Sequence, residues 1–360
     1  MNDDVYHRLA KVLDTLPNGF PATDNGVEIR LLQKVFAPDE AELFCDLRLK
    51  FETAGQIARR TGRPVEGLEE KLLQMRSKGQ ILGVRFKGVW VFRMIPWVIG
   101  IYEYQAKRMD REFAELCEEY FRSFAPRFLS IRPQLMKVLP VGRRVDARQE
   151  ALPRDRVSEI IEKAQSFALA DCICKKEKAL VGQPCDKPRE VCLAVAPYPG
   201  VLDDFDHWGR TITREEAYEV LERAEKAGLV HLTQNMQDGH FFICNCCGCC
   251  CEVLRGINEL GLQGIIHTAY AAVIDPQACV GCGICADERC QVNAIEAADE
   301  VYRVMPERCI GCGLCVSTCP EEAIRLAARP QSDLSPPPEN GKAWMEARAR
   351  ARGVDYSAFK

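Results

Sequence analysis

The sequence predicts an α+β multidomain protein, and three observations support this fold class. The chain has 360 residues, which corresponds to two or three domains of ordinary size. Stretches with helical apolar periodicity alternate with short strand-like stretches that meet at glycine-containing turns. All but two of the 20 cysteines follow residue 170, so an ordinary N-terminal half precedes a cysteine-rich half.

The overall composition is that of a soluble globular protein, with 47% hydrophobic and 28% charged residues. The net charge of −4 gives no whole-chain affinity for nucleic acid or an anionic membrane. The first 20 residues lack the apolar core of a secretory signal, and the most apolar window, residues 89–104, is too short and too charged to span a membrane. We therefore expect a cytoplasmic protein, in which thiols stay reduced and act as metal ligands or redox groups.

The first part of the chain shows a succession of short helices followed by a hairpin. Two helices are predicted within residues 28–47, a third at 53–60 and a fourth at 65–78, which ends before a glycine. Residues 81–92 then alternate as two strands around Lys87–Gly88. This order resembles the winged helix-turn-helix of MarR- and ArsR-type proteins, and we assign residues 1–100 to a winged-helix-like domain.

The charges of this region permit two interpretations. Residues 53–93 carry nine Lys and Arg against three Glu, which favours contact with phosphates. The three carboxylates, Glu66, Glu69 and Glu70, however, open the helix that would enter a DNA groove, where they would repel the backbone. We therefore favour an interaction or scaffold module over a nucleic-acid partner.

Residues 101–154 form a connector with one long predicted helix at 102–124, whose aromatic residues Phe113, Tyr120 and Phe124 share a face. The two isolated cysteines, Cys45 and Cys117, lie among apolar residues and are predicted to be buried core thiols.

Residues 155–269 are predicted to form a cysteine-rich middle domain. Apolar spacing predicts a helix at 155–169, which delivers Cys172 and Cys174 to a loop, and turns rich in Pro and Gly carry Cys185 and Cys192. These four thiols, surrounded by lysines, can enclose one metal centre. We expect a third [4Fe–4S] cluster there, with structural zinc or free reactive thiols as the alternatives.

A second helix-plus-wing unit is predicted just before the densest cysteine run. A capping box at 213–216 opens a helix at 214–226, and strands at 229–233 and 240–243 lead into the run CNCCGCCC. Because a strand directs alternate side chains to opposite faces, these cysteines cannot all bind one metal from regular structure. The upstream metal ligands are therefore a subset of Cys172, Cys174, Cys185, Cys192, Cys244, Cys246, Cys247, Cys249, Cys250 and Cys251.

Residues 270–328 contain two further cysteine runs. Residues 279–290 read CVGCGICADERC, and residues 309–320 read CIGCGLCVSTCP, the bacterial ferredoxin spacing for a [4Fe–4S] cluster. The first run has one extra residue before its fourth cysteine, and Gln291 replaces the usual proline. Zinc thiolates favour separated pairs over such triplets.

This segment resembles the two-cluster bacterial ferredoxins, which fold as a pseudo-twofold pair of hairpins and helices and carry single electrons at low potential. The fourth cysteine of each run ligates the other cluster. The ligands are predicted to be Cys279, Cys282, Cys285 and Cys319 for the first cluster and Cys309, Cys312, Cys315 and Cys290 for the second.

Residues 329–360 are predicted to be a Pro-rich linker followed by a basic tail. A short helix at 342–352 is expected to be a solvated chain end, with docking onto an acidic partner as the alternative.

The combination of these parts resembles the 4Fe–4S ferredoxin-type domain proteins of anaerobic bacteria. We expect an electron carrier or an electron-transfer subunit of a cytoplasmic redox complex, with two [4Fe–4S] clusters, a further cysteine-bound centre and redox partner proteins. The alternatives are a redox-sensing regulator with a winged helix, and an oxidoreductase with its active centre in the region of residues 172–251. The sequence assigns no catalytic residue.

Overall fold

The computed structural model describes residues 2–141, 157–330 and 334–360. Its N-terminal part is helical and ends in a hairpin whose turn uses the left-handed backbone of Lys87 and Gly88. The elements are α1 (Asn2–Thr15), α2 (Val27–Val35), α3 (Pro38–Cys45), α4 (Ala54–Thr61), α5 (Leu68–Ser77), β1 (Leu82–Phe86) and β2 (Val89–Arg93). The predicted order of helices and hairpin is found, and the winged-helix assignment itself stays a prediction.

The predicted long helix at 102–124 is wrong in its first part. Only a single turn, α6 (Tyr102–Tyr104), forms there, and the long helix α7 (Arg111–Leu129) begins later. The Asp110 carboxylate accepts a hydrogen bond from the Phe113 N–H at 2.9 Å and fixes this start as an N-cap. The predicted burial of Cys45 and Cys117 is confirmed, with exposed fractions of 7% and 4%.

A seven-stranded sheet forms the middle of the molecule, in the order β6-β4-β5-β8-β7-β3-β9. The pairs are antiparallel except for the parallel pair of β3 and β9. Its strands are β3 (Met136–Val138), β4 (Ser166–Asp171), β5 (Glu190–Ala196), β6 (Arg210–Ile212), β7 (Val230–Gln234), β8 (Phe242–Cys246) and β9 (Ile266–His267). The helices around it are α8 (Val157–Lys163), α9 (Ile173–Leu180), α10 (Arg214–Lys226) and α11 (Glu252–Asn258).

The predicted helix at 155–169 is too long, because its second half is the inner strand β4. Phe167, Ala168 and Leu169 are consecutive and all buried, since the strand is covered on both faces. A continuous apolar run of this kind does not distinguish a buried strand from a buried helix. Cys172 therefore follows a strand, and Cys174 lies within α9.

The helix of the predicted second helix-plus-wing unit is present, and its two strands are present as an antiparallel pair. The hydroxyl of Thr213 accepts from the Glu216 N–H at 3.2 Å, and the Glu216 carboxylate accepts from the Thr213 N–H at 3.1 Å, which completes the capping box. The hairpin of β7 and β8 does not stand apart as a wing, because both strands are inner members of the seven-stranded sheet. The sheet thus brings the cysteines of β8 beside Cys192 of β5.

The C-terminal part contains the expected pair of small antiparallel sheets, one of β10 with β13 and one of β11 with β12. The strands are β10 (Tyr270–Ile274), β11 (Ile295–Ala298), β12 (Val301–Val304) and β13 (Ile324–Ala328). Their apolar side chains form a small core together with Cys285 and Cys315.

The tail helix α12 (Gly341–Arg352) packs on the body of the protein, so the expectation of a solvated chain end is wrong. Trp344 and Arg348, one helical turn apart, are 1% and 0% exposed. The indole N–H of Trp344 donates to the Gln134 carbonyl at 3.0 Å. Within the described residues, no helix is both long and apolar enough to cross a membrane.

Candidate metal centres

The first ferredoxin site is a small cavity at the surface of the C-terminal part. Residues from both cysteine runs line it, because strand pairing brings the end of the second run beside the first. Its thiols are Cys279, Cys282, Cys285 and Cys319. The structure thus brings together the four residues that the spacing assigns to one cluster.

The second ferredoxin set lies deeper in the protein. Cys290 lies close to Cys309 and Cys312. Burial, together with the negative charge of these neighbouring thiolates, raises the pKa of Cys315. Burial raises the pKa of Cys312 to about 12, so binding of a metal centre there displaces a thiol proton. The fourth cysteine of the first run therefore lies with three of the second.

Backbone N–H groups point at the sulfurs of this second set. The Ala272 N–H donates to Cys309 Sγ at 3.4 Å, and the Ala294 N–H donates to Cys290 Sγ at 3.1 Å. Such N–H···S bonds stabilise thiolate ligands and tune the potential of a cluster.

The loops of both sites need glycine. A Cβ on Gly281 would lie 2.4 Å from the Glu300 carbonyl oxygen, and one on Gly313 would lie 2.2 Å from that of Val141. Both glycines also have positive φ, +67° and +80°. The cysteine loops are therefore packed tightly against neighbouring backbone. The two sets of four thiols fit the donor sets of a pair of [4Fe–4S] clusters.

The ten upstream cysteines form two groups that differ from the one expected from the sequence. Cys185 lies beside the turn after β8, apart from the three cysteines with which its spacing groups it. Those three, Cys172, Cys174 and Cys192, face strand β8 itself. The first group is Cys185, Cys247, Cys249 and Cys250, whose sulfurs all lie within 4.8 Å of one another. The second group lines a cavity of about 240 Å³ and consists of Cys172, Cys174, Cys192, Cys244, Cys246 and Cys251.

The architecture explains this division. Cys244 and Cys246 are two residues apart on β8 and so point to the same face of the sheet. Cys251 is the N-cap of α11, and the residues between it and Cys246 form a turn that projects away from the cavity. Cys192 on the neighbouring strand β5 completes the row, within hydrogen-bonding reach of Cys244.

The cavity with six cysteines has an unusual electrostatic environment. A hydrogen bond from Cys174 and the nearby Lys175 ammonium lower the pKa of Cys172 to about 7. The Lys175 side chain is only 3% exposed and donates to the Asn245 carbonyl at 3.3 Å. One buried cation thus lies beside these thiols. It favours their thiolate form, which is the form of cysteine that binds metals.

Two half-buried carboxyl groups, which no sequence pattern predicts, line the same cavity. Burial raises the pKa of Glu103 to about 7 and that of Glu252 to about 8. The Glu103 carboxyl accepts from the N–H groups of Ile99 and Gly100 at 3.1 and 2.8 Å. Because Glu103 precedes the cysteine-rich half by some 70 residues, only the tertiary structure places it here.

A direct contact joins the ferredoxin part to the upstream cysteines. The Gly248 N–H, in the turn after β8, donates to the Gln291 side-chain oxygen at 2.9 Å. The Asn258 amide donates to the carbonyls of both residues, at 3.2 and 3.0 Å. Gln291 is the residue that replaces the usual proline after Cys290, so this departure from the ferredoxin pattern has a structural role.

Comparison with known proteins identifies one part of the chain. Residues 272–326 match the family model of the 4Fe-4S dicluster domain. No significant match was found among curated proteins or among solved structures. The chain therefore contains an iron–sulfur domain of the dicluster class, joined to a second cysteine-rich region in which four thiols lie close enough together to hold one metal ion.

Proposed function

We propose that this chain is an iron–sulfur electron-transfer protein, or the electron-transfer subunit of a cytoplasmic redox complex. Two [4Fe–4S] clusters in the dicluster domain accept and pass single electrons when bound. Cys279, Cys282, Cys285 and Cys319 hold the first cluster, and Cys309, Cys312, Cys315 and Cys290 hold the second. A third centre occupies the cavity with six cysteines.

The contact between Gly248 and Gln291 is the observation that supports a relay. Gln291 is bonded to Cys290, a ligand of the second cluster, and Gly248 lies two residues after Cys246, which lines the six-cysteine cavity. One hydrogen bond therefore joins the two regions across very few covalent bonds. Such close packing suits electron transfer between centres within one chain.

The first cluster is the entry point for a redox partner protein. Cys282 is exposed, and the adjacent Val280 is 63% exposed beside it. None of the four cysteines of the second set is exposed. With clusters bound, an electron from a partner docked beside Cys282 would enter at the first set of cysteines and would be passed to the second set and then to the upstream cysteines.

Metal analysis with EPR spectroscopy tests this proposal. Two clusters require about eight irons per chain and a third [4Fe–4S] centre about twelve. Anaerobically reconstituted wild type is expected to give two interacting dicluster signals and one further signal, and the Cys246→Ser variant is expected to lose only the further one. The Cys45→Ala variant is the matched control, since Cys45 is a core thiol away from the cysteine groups. Fewer than eight irons in fully reconstituted protein contradicts the dicluster assignment.

Catalysis at the six-cysteine cavity is a second candidate function, supported by the number of thiol and carboxyl groups that line the cavity. Six thiols exceed the four that a [4Fe–4S] cluster needs, and Glu103 and Glu252 can hold protons near neutral pH. Reduction of a disulfide substrate consumes two electrons and two protons, which the relay and these carboxyl groups can supply. Turnover of a small disulfide with a low-potential electron donor is the test, and its absence in metal-replete protein eliminates this candidate.

A further inference from the structure

We propose that Cys185, Cys247, Cys249 and Cys250 bind a single zinc ion that has a structural role. This site is separate from the six-cysteine cavity and goes beyond the electron-transfer function. It stands whether or not that cavity holds a cluster.

The distances between the sulfurs fit one metal ion. Cys185 Sγ lies 3.8 Å from Cys247 Sγ and 3.5 Å from Cys249 Sγ, and the sulfurs of Cys249 and Cys250 are 3.7 Å apart. Four sulfurs in a tetrahedron at about 2.3 Å from zinc are separated by about 3.8 Å. The observed spacing is therefore that of a tetrathiolate around one ion.

The ferredoxin thiols of the same chain provide an internal comparison. In a [4Fe–4S] cluster each thiolate binds a different iron, so the four sulfurs are further apart than around one ion. Among the described residues, the Cys185 group is the one set of three or more potential ligands whose atoms all lie within 4.8 Å. The eight dicluster cysteines are thus more widely spaced, as cluster ligands must be.

The backbone around the four cysteines has the features of a closed structural site. Cys247 and Cys250 form a C-x2-C pair in which the Cys250 N–H donates to Cys247 Sγ. The Lys187 N–H donates to Cys185 Sγ at 3.3 Å. Four protein thiolates leave no open coordination position, which is typical of structural zinc, and the N–H···S bonds orient the ligands.

Part of the negative charge at this site is offset from within the protein. Zinc with four thiolates carries a net charge of −2. The buried ammonium of Lys175 interacts electrostatically with Cys185 and Cys247 as well as with Cys172 of the neighbouring cavity. One cation therefore stabilises both anionic groups.

The position of the site explains its role. Cys185 comes from the loop between α9 and β5, and the other three ligands come from the turn between β8 and α11. Zinc would fasten this loop to this turn, because the two are far apart in sequence. The same turn connects Cys246 to Cys251 of the cavity and carries Gly248, so the ion fixes the geometry of the upstream end of the relay.

Metal analysis and X-ray absorption at the zinc edge test the inference on the full wild-type chain, purified and kept anaerobic. We expect one zinc per chain, surrounded by four sulfurs at about 2.3 Å, with no neighbouring metal. Zinc well below one per chain, a shell with nitrogen or oxygen, or a single iron in the four-sulfur site would each overturn it.

Matched variants separate this site from the clusters. Cys185→Ser and Cys249→Ser are expected to lose zinc and keep the EPR signals of the dicluster domain. Cys192→Ser, from the six-cysteine cavity, is the control and is expected to keep its zinc. Loss of iron with unchanged zinc in Cys185→Ser contradicts the assignment, and the wild-type absorption spectrum decides the matter if a variant fails to fold.

Discussion

Gly248 lies where two cysteine-bearing segments meet, and its lack of a side chain permits the contact. A Cβ at this position would be 2.2 Å from the Gln291 carbonyl oxygen and 2.9 Å from the Asn258 amide nitrogen. Neither atom can move freely, because both take part in the hydrogen bonds that join the segments. Glycine at 248 is therefore a packing requirement.

We predict that Gly248→Ala lowers the free energy of unfolding by about 1–3 kcal/mol, as overpacking does. Chemical denaturation under anaerobic conditions measures this change. Gly55→Ala is the matched control, since a Cβ there meets none of the described atoms within 4 Å and alanine favours the helix. Equal stability of Gly248→Ala and wild type would show that the two segments separate easily.

His231 makes stability depend on pH. It is 3% exposed, its Nδ1 is hydrogen-bonded to the Asn245 side-chain oxygen, and burial lowers its pKa to about 4. Between pH 6.5 and 4 the unfolded chain binds a proton that the folded chain does not. The stabilising contribution of the neutral imidazole is therefore complete above pH 6.5 and is lost as the pH falls towards 4.

We predict that lowering the pH from 7.5 to 5.5 removes about 1.3 kcal/mol of stability through His231 alone. Denaturation of wild type and of His231→Gln at the two pH values measures this contribution as the difference between their pH dependences. His7→Gln, at an exposed position in α1, is the control. The account of His231 is wrong if wild type and His231→Gln lose the same stability on acidification.

At the scale of elements, α12 shows how a basic tail becomes part of the core. The Arg348 guanidinium is fully buried and donates to the carbonyls of Phe128, Ile131 and Pro133 at 2.9 to 3.2 Å. It also stacks on the rings of Phe128 and Trp344. These carbonyls lie at and just beyond the end of α7, so α12 satisfies groups that a helix terminus leaves free.

We predict that Arg348→Ala destabilises the protein by about 3 kcal/mol or more, because three charge-assisted hydrogen bonds are lost and their acceptors stay buried. Arg350→Ala, on the exposed face of the same helix, is expected to change stability by less than about 0.5 kcal/mol. Anaerobic denaturation of both variants gives the comparison. Similar small effects for the two would mean that α12 is not docked in solution.

How far the sequence predicts these elements depends on whether the determinants are local. The dicluster ligand sets follow from cysteine spacing, and the capping box at Thr213 follows from four consecutive residues. The sequence predicts a helix in place of strand β4, because the buried apolar residues of this strand are continuous and show no alternation. The division of the upstream cysteines is only partly predictable from the sequence. Alternation along a strand places Cys244 and Cys246 on one face, but the separation of Cys185 depends on the tertiary position of the loop between α9 and β5.

For the molecule as a whole, the N-terminal hairpin is used for internal packing. Val84 of β1 and Val91 of β2 pack with Ala168 and Trp208 of the middle part. Arg76 of α5, a basic residue of the predicted recognition helix, donates to the Gly83 carbonyl at 2.9 Å and to the Asp204 carbonyl. The N-terminal hairpin and α5 thus pack directly against the middle part of the molecule.

We predict that the protein shows no salt-dependent binding to double-stranded DNA in either redox state. The apolar face of the hairpin and the Arg76 guanidinium are already occupied, and the first turn of α5 carries Glu69 and Glu70. A gel-shift assay at low salt, with oxidised and reduced protein, checks this. A shift that weakens steeply with added salt would favour the regulatory alternative.

In the proposed relay, electrons reach the six-cysteine cavity from the dicluster domain across the contact between Gly248 and Gln291. Rapid mixing with less than one equivalent of a low-potential reductant, followed by freeze-quench EPR, measures this transfer. We predict that the dicluster signals appear first and decay as the signal of the upstream centre rises. We predict a slower rise in Gln291→Ala at equal metal content. An upstream signal that never appears, or that rises at the same rate in both proteins, would contradict the relay.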